Sequence, residues 1–164
     1  MAITQYSTIQ LKIRKPYFEN YLRWVFNSQE GDIKVNRDEI LGKFLFSMAR
    51  TSDIPIKVRN QTGIVKLIMP SHICDDRSKY RSIYYSVDDE NHINDYIEAC
   101  AFMDLRMMVQ TAKLDMKMDR KTVFEIYSEM IFGENKYEAL KKYEYRRRKK
   151  ALDYLRVTAK ALCM

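Results

Sequence analysis

Five consecutive cations at residues 146–150 constrain the fold of this chain more than any other feature of its sequence. A helix turns by about 100° per residue, so five successive side chains point to every side of it. No helix can bury such a turn against a core, and these cations must face solvent or an anionic partner. Apolar residues keep helical spacing on both sides of the run, at Leu140, Tyr143, Ala151, Tyr154, Leu155 and Leu162. The run is therefore expected to lie within a helix.

The basic segment, residues 136–160, carries ten Lys and Arg against three acids, and this surplus of +7 equals the net charge of the whole chain. The residues outside it are therefore balanced in charge. A basic segment attached to a neutral domain is typical of a protein that binds a polyanion. We expect nucleic acid as the partner, DNA in preference to RNA.

Composition limits the other classes of protein. Only four glycines and three prolines are present, which favours a helix-rich fold with few turns. No apolar stretch approaches the roughly 20 residues that a membrane span needs. The first residues lack the cationic start and apolar core of a secretory signal. These features predict an intracellular, cytoplasmic protein that does not bind a membrane.

The cysteines and histidines offer little chemistry. Cys74, Cys100 and Cys163 are too far apart for a disulfide framework or a zinc site, and His72 and His92 lack the spacing of metal ligands. Cys100 lies in an apolar helical pattern and is expected in the core. We expect no metal and no cofactor.

The first half of the chain alternates between strand and helix patterns. Residues 8–14 alternate polar and apolar side chains, which predicts a half-buried strand. Pro16 suits the first turn of the aromatic-rich helix that follows. Residues 32–35 predict a short second strand. A capping box of Asn36 and Glu39 opens the next helix, which ends near residue 50.

Alternating aliphatic side chains at residues 54–58 and 64–69 flank a turn and predict a β-hairpin. Residues 83–85 predict one more short strand.

The second half is helical. Asp88 or Asp89 can cap a helix that runs to about residue 114, and Asp119 caps the next, for which Gly133 suits the C-terminal position. We therefore expect an α+β fold: an N-terminal strand-helix-helix-hairpin unit followed by three or four helices. The division falls at residues 1–87, a core or dimerisation unit, and 88–164, the helical region, unless the two form one continuous domain.

Two conformations are open to the basic segment. It can form one long helix, or it can break near Glu144 and Tyr145. The break would create a helix-turn-helix from residues 120–132, 136–143 and 146–160, with the cations of the third helix facing DNA and Leu152 and Leu155 packed inward.

The second conformation is supported by a resemblance. Residues 131–143, Ile-Phe-Gly-Glu-Asn-Lys-Tyr-Glu-Ala-Leu-Lys-Lys-Tyr, resemble the Phe-x-Gly-x-Asn…Glu-Leu-Ala-x-x-Tyr stretch in the C-terminal domain of phage Mor-like transcription activators. The resemblance, taken over residues 131–156, implies that residues 146–156 form the recognition helix of a phage or mobile-element regulator.

We interpret the chain as a non-enzymatic protein that binds double-stranded DNA through its basic C-terminal helix. The predicted contacts are Lys141, Lys142, Arg146, Arg147, Arg148, Lys149, Lys150, Tyr154 and Arg156. Single-stranded nucleic acid, with tyrosines stacking on bases, is a further possibility. A different class of protein is the alternative: an assembly protein whose basic helix contacts a protein partner or packaged nucleic acid.

A metal-dependent nuclease would also explain the charge, because its carboxylates converge on a cation. Residues 75–76 and 88–90 are the acidic clusters, but adjacent carboxylates diverge from the backbone, and residues 88–90 suit a helix N-terminus.

Ten Met, twelve Tyr and seven Phe exceed what a thin core hides, so we also expect a homo-oligomer.

Overall fold

The computed structural model describes residues 7–69, 82–115, 118–133, 138, 140–146, 149–150 and 152–153. The fold is α+β, with strands in the first half and a helical second half, as the sequence predicts. The chain divides into two compact units, Met1–Asp104 and Leu105–Met164. The division falls within a helix, and each unit is described separately.

The first unit contains the following elements in chain order: β1 (Ser7–Lys12), α1 (Tyr17–Val25), β2 (Ile33–Lys34), α2 (Ile40–Met48), β3 (Arg50–Ser52), β4 (Ile64–Met69), β5 (Ser82–Tyr84) and the first part of α3 (Val87–Asp115). The second unit contains the end of α3, then α4 (Arg120–Tyr127) and a short π-helix (Ser128–Phe132). Residues 138, 140–146, 149–150 and 152–153 are also helical, and we call them the C-terminal helical residues.

The three-stranded sheet has the order β1-β4-β2, with β4 antiparallel to β1 and parallel to β2. Its strands alternate as the sequence predicts: Ile9, Leu11, Ile33, Val65 and Leu67 are buried on one face. Buried side chains of α1, α2 and the first half of α3 complete the core, among them Phe18, Leu22, Leu45, Ile93 and Ile97. Cys100 is buried too, as expected.

The predicted β-hairpin is wrong. Residues 64–69 do form β4, but β4 pairs with β1 along its whole length and with β2 at Leu67 and Ile68, and residues 54–58 pair with neither edge. Residues 55–61 adopt no regular secondary structure. The short strand expected at residues 83–85 is present as β5, and it pairs with β3. Alternation is compatible with a strand, but it does not by itself establish that a strand forms or which strand lies beside it.

The predicted capping box of α2 is also wrong. The helix begins three residues later, at Ile40, and its N-cap residue Glu39 makes no side-chain capping hydrogen bond. Asn36 instead accepts a hydrogen bond on Oδ1 from the Asp38 N–H at 3.0 Å. An asparagine that folds back on its own backbone two residues on forms a turn in place of a helix cap.

The N-terminus of α3 is capped by Ser86, which precedes the predicted Asp88 by two residues. Ser86 Oγ accepts from the Asp89 N–H at 3.2 Å, and an Asp89 carboxylate oxygen accepts from the Ser86 N–H at 2.9 Å. This reciprocal pair is a capping box in which aspartate takes the place of glutamate.

In the second unit the predicted boundaries of α4 are confirmed. Asp119 Oδ1 accepts from the Thr122 N–H at 2.6 Å, which caps the helix. Gly133 ends the π-helical turn that continues α4, and its φ of 68° lies in the left-handed region that suits glycine.

Candidate nucleic-acid interface

The structure describes five of the nine predicted contact residues. Lys141, Lys142, Arg146, Lys149 and Lys150 are all helical and exposed. The other four, Arg147, Arg148, Tyr154 and Arg156, lie outside the described residues.

Residues 140–146 present two different faces. At about 100° per residue, Lys142 and Arg146 lie one above the other, and Lys141 lies in the same way below Tyr145. All four side chains are exposed, and Tyr145 is 67% accessible. Leu140 and Glu144 lie on the opposite side and are buried. This part of the helix therefore has a cationic outer face with one exposed aromatic ring.

The buried acid Glu144 forms an ion pair with Arg120 of α4. The Arg120 guanidinium also lies over the Phe124 ring, 5.2 Å from its centroid. A carboxylate taken out of water requires such a cation close by. The pair fixes the helix against α4, and it also withdraws a negative charge from the outer face.

Four cations of the outer face have no acidic partner in the part of the chain that the structure describes. No carboxylate there lies within 4.0 Å of Lys142, Arg146, Lys149 or Lys150. Lys141 lies 3.8 Å from Glu138, but both side chains are more than half exposed, and such a pair contributes little.

The arginines of the first unit are bound differently. Acids pair with Arg14, Arg23, Arg50 and Arg59 and with the neighbouring Lys15. The first unit therefore neutralises four arginines and one lysine internally. Its other exposed lysines resemble those of the C-terminal helical residues in having no described carboxylate within 4.0 Å: Lys12, Lys34, Lys43, Lys57 and Lys66.

The turn that the helix-turn-helix alternative requires at Glu144 and Tyr145 is not present at those residues. Glu144 and Tyr145 are helical, within the unbroken run 140–146. Leu152, expected to pack inward on the recognition helix, is 54% exposed. Glu144 is buried like Leu140 one turn earlier, and it forms an ion pair with Arg120.

The acidic cluster at residues 88–90 is engaged by arginines. Asp89 binds Arg50 Nε at 2.6 Å, and Glu90 binds Arg59 Nη2 at 2.6 Å. Hydrogen bonds from Arg50, and then from Ser86, hold the pKa of Asp89 well below its ordinary range. Among the described residues no group of three His, Cys, Asp or Glu is placed to hold a metal ion. Residues 75–76 lie outside the described residues.

None of the helices in the described ranges is long and apolar enough to cross a bilayer. Comparison of the chain with protein-family models, curated proteins and solved structures finds no match in any of the three.

Proposed function

We propose that this protein binds double-stranded DNA without catalysing a reaction, and that its basic C-terminal helix contacts the phosphate backbone. One observation carries the proposal: Lys142, Arg146, Lys149 and Lys150 are exposed, and no described carboxylate pairs with them. Lysine and arginine that neutralise phosphates release counterions, which is the main source of affinity for DNA. A role as a regulator of phage or mobile-element type is the more specific form of this proposal.

The helix geometry supports such a contact. A helix fits the major groove of B-form DNA, and phosphates lie on both sides of that groove. The outer face of the helix carries several hydrogen-bond donors. Lys142 and Arg146 form one row, and Lys141 and Tyr145 form the row beside it. Arginine can also pair with guanine, so Arg146 is the described residue best suited to read a base.

The test is a salt titration of duplex binding by the full chain. We expect the log of the association constant to fall linearly with the log of salt concentration. Replacing Lys142, Arg146, Lys149 and Lys150 by glutamine removes four cations. If each contacts a phosphate, the slope becomes shallower by about 3–4 units.

The matched control removes four exposed lysines of the first unit, Lys12, Lys34, Lys43 and Lys66, in the same way. The change in net charge is identical, so equal losses in both variants would mean a general electrostatic effect and would reject the helix as the contact. Unchanged affinity in the first variant would reject it as well.

The same assay separates the alternatives. Binding that is steep in salt but indifferent to sequence would favour an assembly protein that packages nucleic acid. Cleavage of plasmid DNA in the presence of Mg²⁺ or Mn²⁺ would overturn the non-enzymatic proposal.

A further inference from the structure

Residues 54–58 have the alternating side-chain pattern of a strand, but they pair with no strand among the described residues. Ile54, Ile56 and Val58 alternate along it and are 75%, 42% and 63% exposed. Three β-branched side chains in alternation favour a pleated, half-buried strand. In the described chain this segment nevertheless belongs to no sheet.

The backbone of this segment is held at Ile54, at Ile56 and, just beyond the segment, at Arg59. The Ile54 N–H donates to Ser52 Oγ at 3.1 Å, and Arg59 exchanges hydrogen bonds with the side chain of Gln10. The Ile56 N–H donates to Ser82 Oγ at 3.3 Å. Between them, the N–H groups of Lys57 and Val58 have no hydrogen-bond acceptor among the described residues. Because successive N–H groups of an extended chain point to opposite sides, an added chain on either side would find one of these two donors free.

The segment borders a groove of about 620 Å³, with the outer face of the sheet as its other wall. Gln10 and Lys66 lie on that face, directly opposite each other in the register of β1 and β4. Tyr84 of β5 lies at the groove as well. The groove is therefore a concave surface that combines apolar and polar side chains.

The charge of the groove selects its occupant. Lys57 and Lys66 have no carboxylate within 4.0 Å in the described ranges, and Arg59 is neutralised by Glu90. Lys12 and Lys34 lie exposed on the strands to either side of Lys66. Among the described residues that line the groove, Asp32 is the one acid. An acidic ligand is therefore favoured.

We propose that this groove binds an extended acidic segment of a partner protein, which adds as a strand along residues 54–58. A main-chain hydrogen bond to the N–H of Lys57 or of Val58, whichever faces the ligand, would supply affinity, and alternate apolar side chains of the ligand would cover Ile56 and Val58. Acidic side chains between them would meet Lys57 and Lys66. A second copy of this chain that bound through the same groove would bring its own Lys57 and Lys66 toward those of the first copy. A second copy is therefore a poorer occupant.

The test is selection of a displayed random-peptide library against the full chain and, in parallel, against the double variant Lys57→Glu/Lys66→Glu. For the natural chain we expect enriched peptides that alternate apolar and acidic residues. For the double variant we expect these peptides to bind at least about tenfold more weakly, because like charges then face each other. The matched control Lys43→Glu changes an exposed lysine of α2 and should leave binding unchanged.

Amide chemical shifts of the labelled chain locate the peptide, and the largest changes are expected at Lys57 and Val58. The absence of enriched acidic peptides, or equal binding by the double variant, would overturn the proposal. So would self-association that the double variant abolishes, which would identify a second copy as the occupant. Tighter binding of an oligothymidylate at the same amides would likewise overturn it and assign the groove to nucleic acid.

Discussion

The side chain of Asn94 takes the place of a neighbouring strand for the backbone at Lys12. Asn94 Nδ2 donates to the Lys12 carbonyl at 2.9 Å, and Asn94 Oδ1 accepts from the Arg14 N–H at 2.8 Å. Glu90, one turn earlier on α3, accepts from the Lys12 N–H at 3.0 Å. Because β1 is an edge strand, these side chains close an edge that would otherwise be open to pairing.

Asn94→Ala should therefore destabilise the first unit by about 1–3 kcal/mol, because it leaves the part-buried Arg14 N–H and Lys12 carbonyl without their side-chain partner. Chemical denaturation monitored by circular dichroism measures the loss. Asn91→Ala is the control: Asn91 lies on the exposed side of the same helix, and its change should cost less than about 0.5 kcal/mol. Equal effects of the two changes would contradict the edge-closing role.

The ion pair of Asp89 with Arg50 should make the protein sensitive to acid. The pKa of Asp89 is lower in the folded state than its ordinary value of 3.8, so the stabilisation is complete above that value and is lost as the pH falls toward the folded pKa. Asp89→Asn should cost about 1–3 kcal/mol at neutral pH. It should also flatten the decline of stability below about pH 4.

Thermal unfolding across an acid pH series checks this. The neighbouring Asp88 is exposed and gives the control Asp88→Asn, which should leave the acid profile as it is. If the stability of the Asp89→Asn variant fell as steeply with acid as that of the natural chain, another group would be responsible for the acid sensitivity.

Gly42→Ala should destabilise α2, although alanine normally stabilises a helix interior by about 1 kcal/mol relative to glycine. A Cβ at this position would lie 1.7 Å from the carbonyl oxygen of Asn36, which belongs to the backbone and cannot rotate away. We expect a loss of about 1–3 kcal/mol in the free energy of unfolding. Lys43→Ala, at the next and exposed position, should be neutral or stabilising; a Gly42 variant that gains stability would contradict the close approach.

Arg120→Met should destabilise the second unit by about 3 kcal/mol, because it leaves the Glu144 carboxylate buried beside an apolar side chain. The double variant Arg120→Met/Glu144→Leu should recover most of that loss, since it removes both charges. Lys121→Met breaks an exposed pair with Glu125 and should cost no more than about 1 kcal/mol. Failure of the double variant to recover stability would argue that Glu144 has a different partner.

Local signals predicted local structure well. The alternation of Ile9, Leu11 and Ile13 identified β1, Pro16 marked the start of α1, and Asp119 marked the start of α4. Each of these signals acts through a side chain or backbone preference within one turn or one strand. The same local reasoning placed the cations of residues 146–150 on an exposed surface, and Lys149 and Lys150 are exposed in the structure.

Pairings between distant residues were not predictable. Residues 64–69 pair with β1 and β2 because those strands share a core with them, and nothing in residues 54–58 reveals that β4 pairs with distant strands instead. Glu144 looked like one more charge on a solvated helix. Its burial depends on Arg120, which precedes it on a separate helix, so the sequence of the basic segment alone carries no sign of it.

The division of the chain after Asp104 has a practical consequence for dissecting the protein. A fragment cut after β5, where the sequence changes from mixed to helical, would lack Glu90 and Asn94. Such a fragment would expose the backbone of β1 along one side, and strands exposed in this way recruit one another into aggregates. Truncated proteins meant to carry the first unit should therefore retain α3 to Asp104 at least.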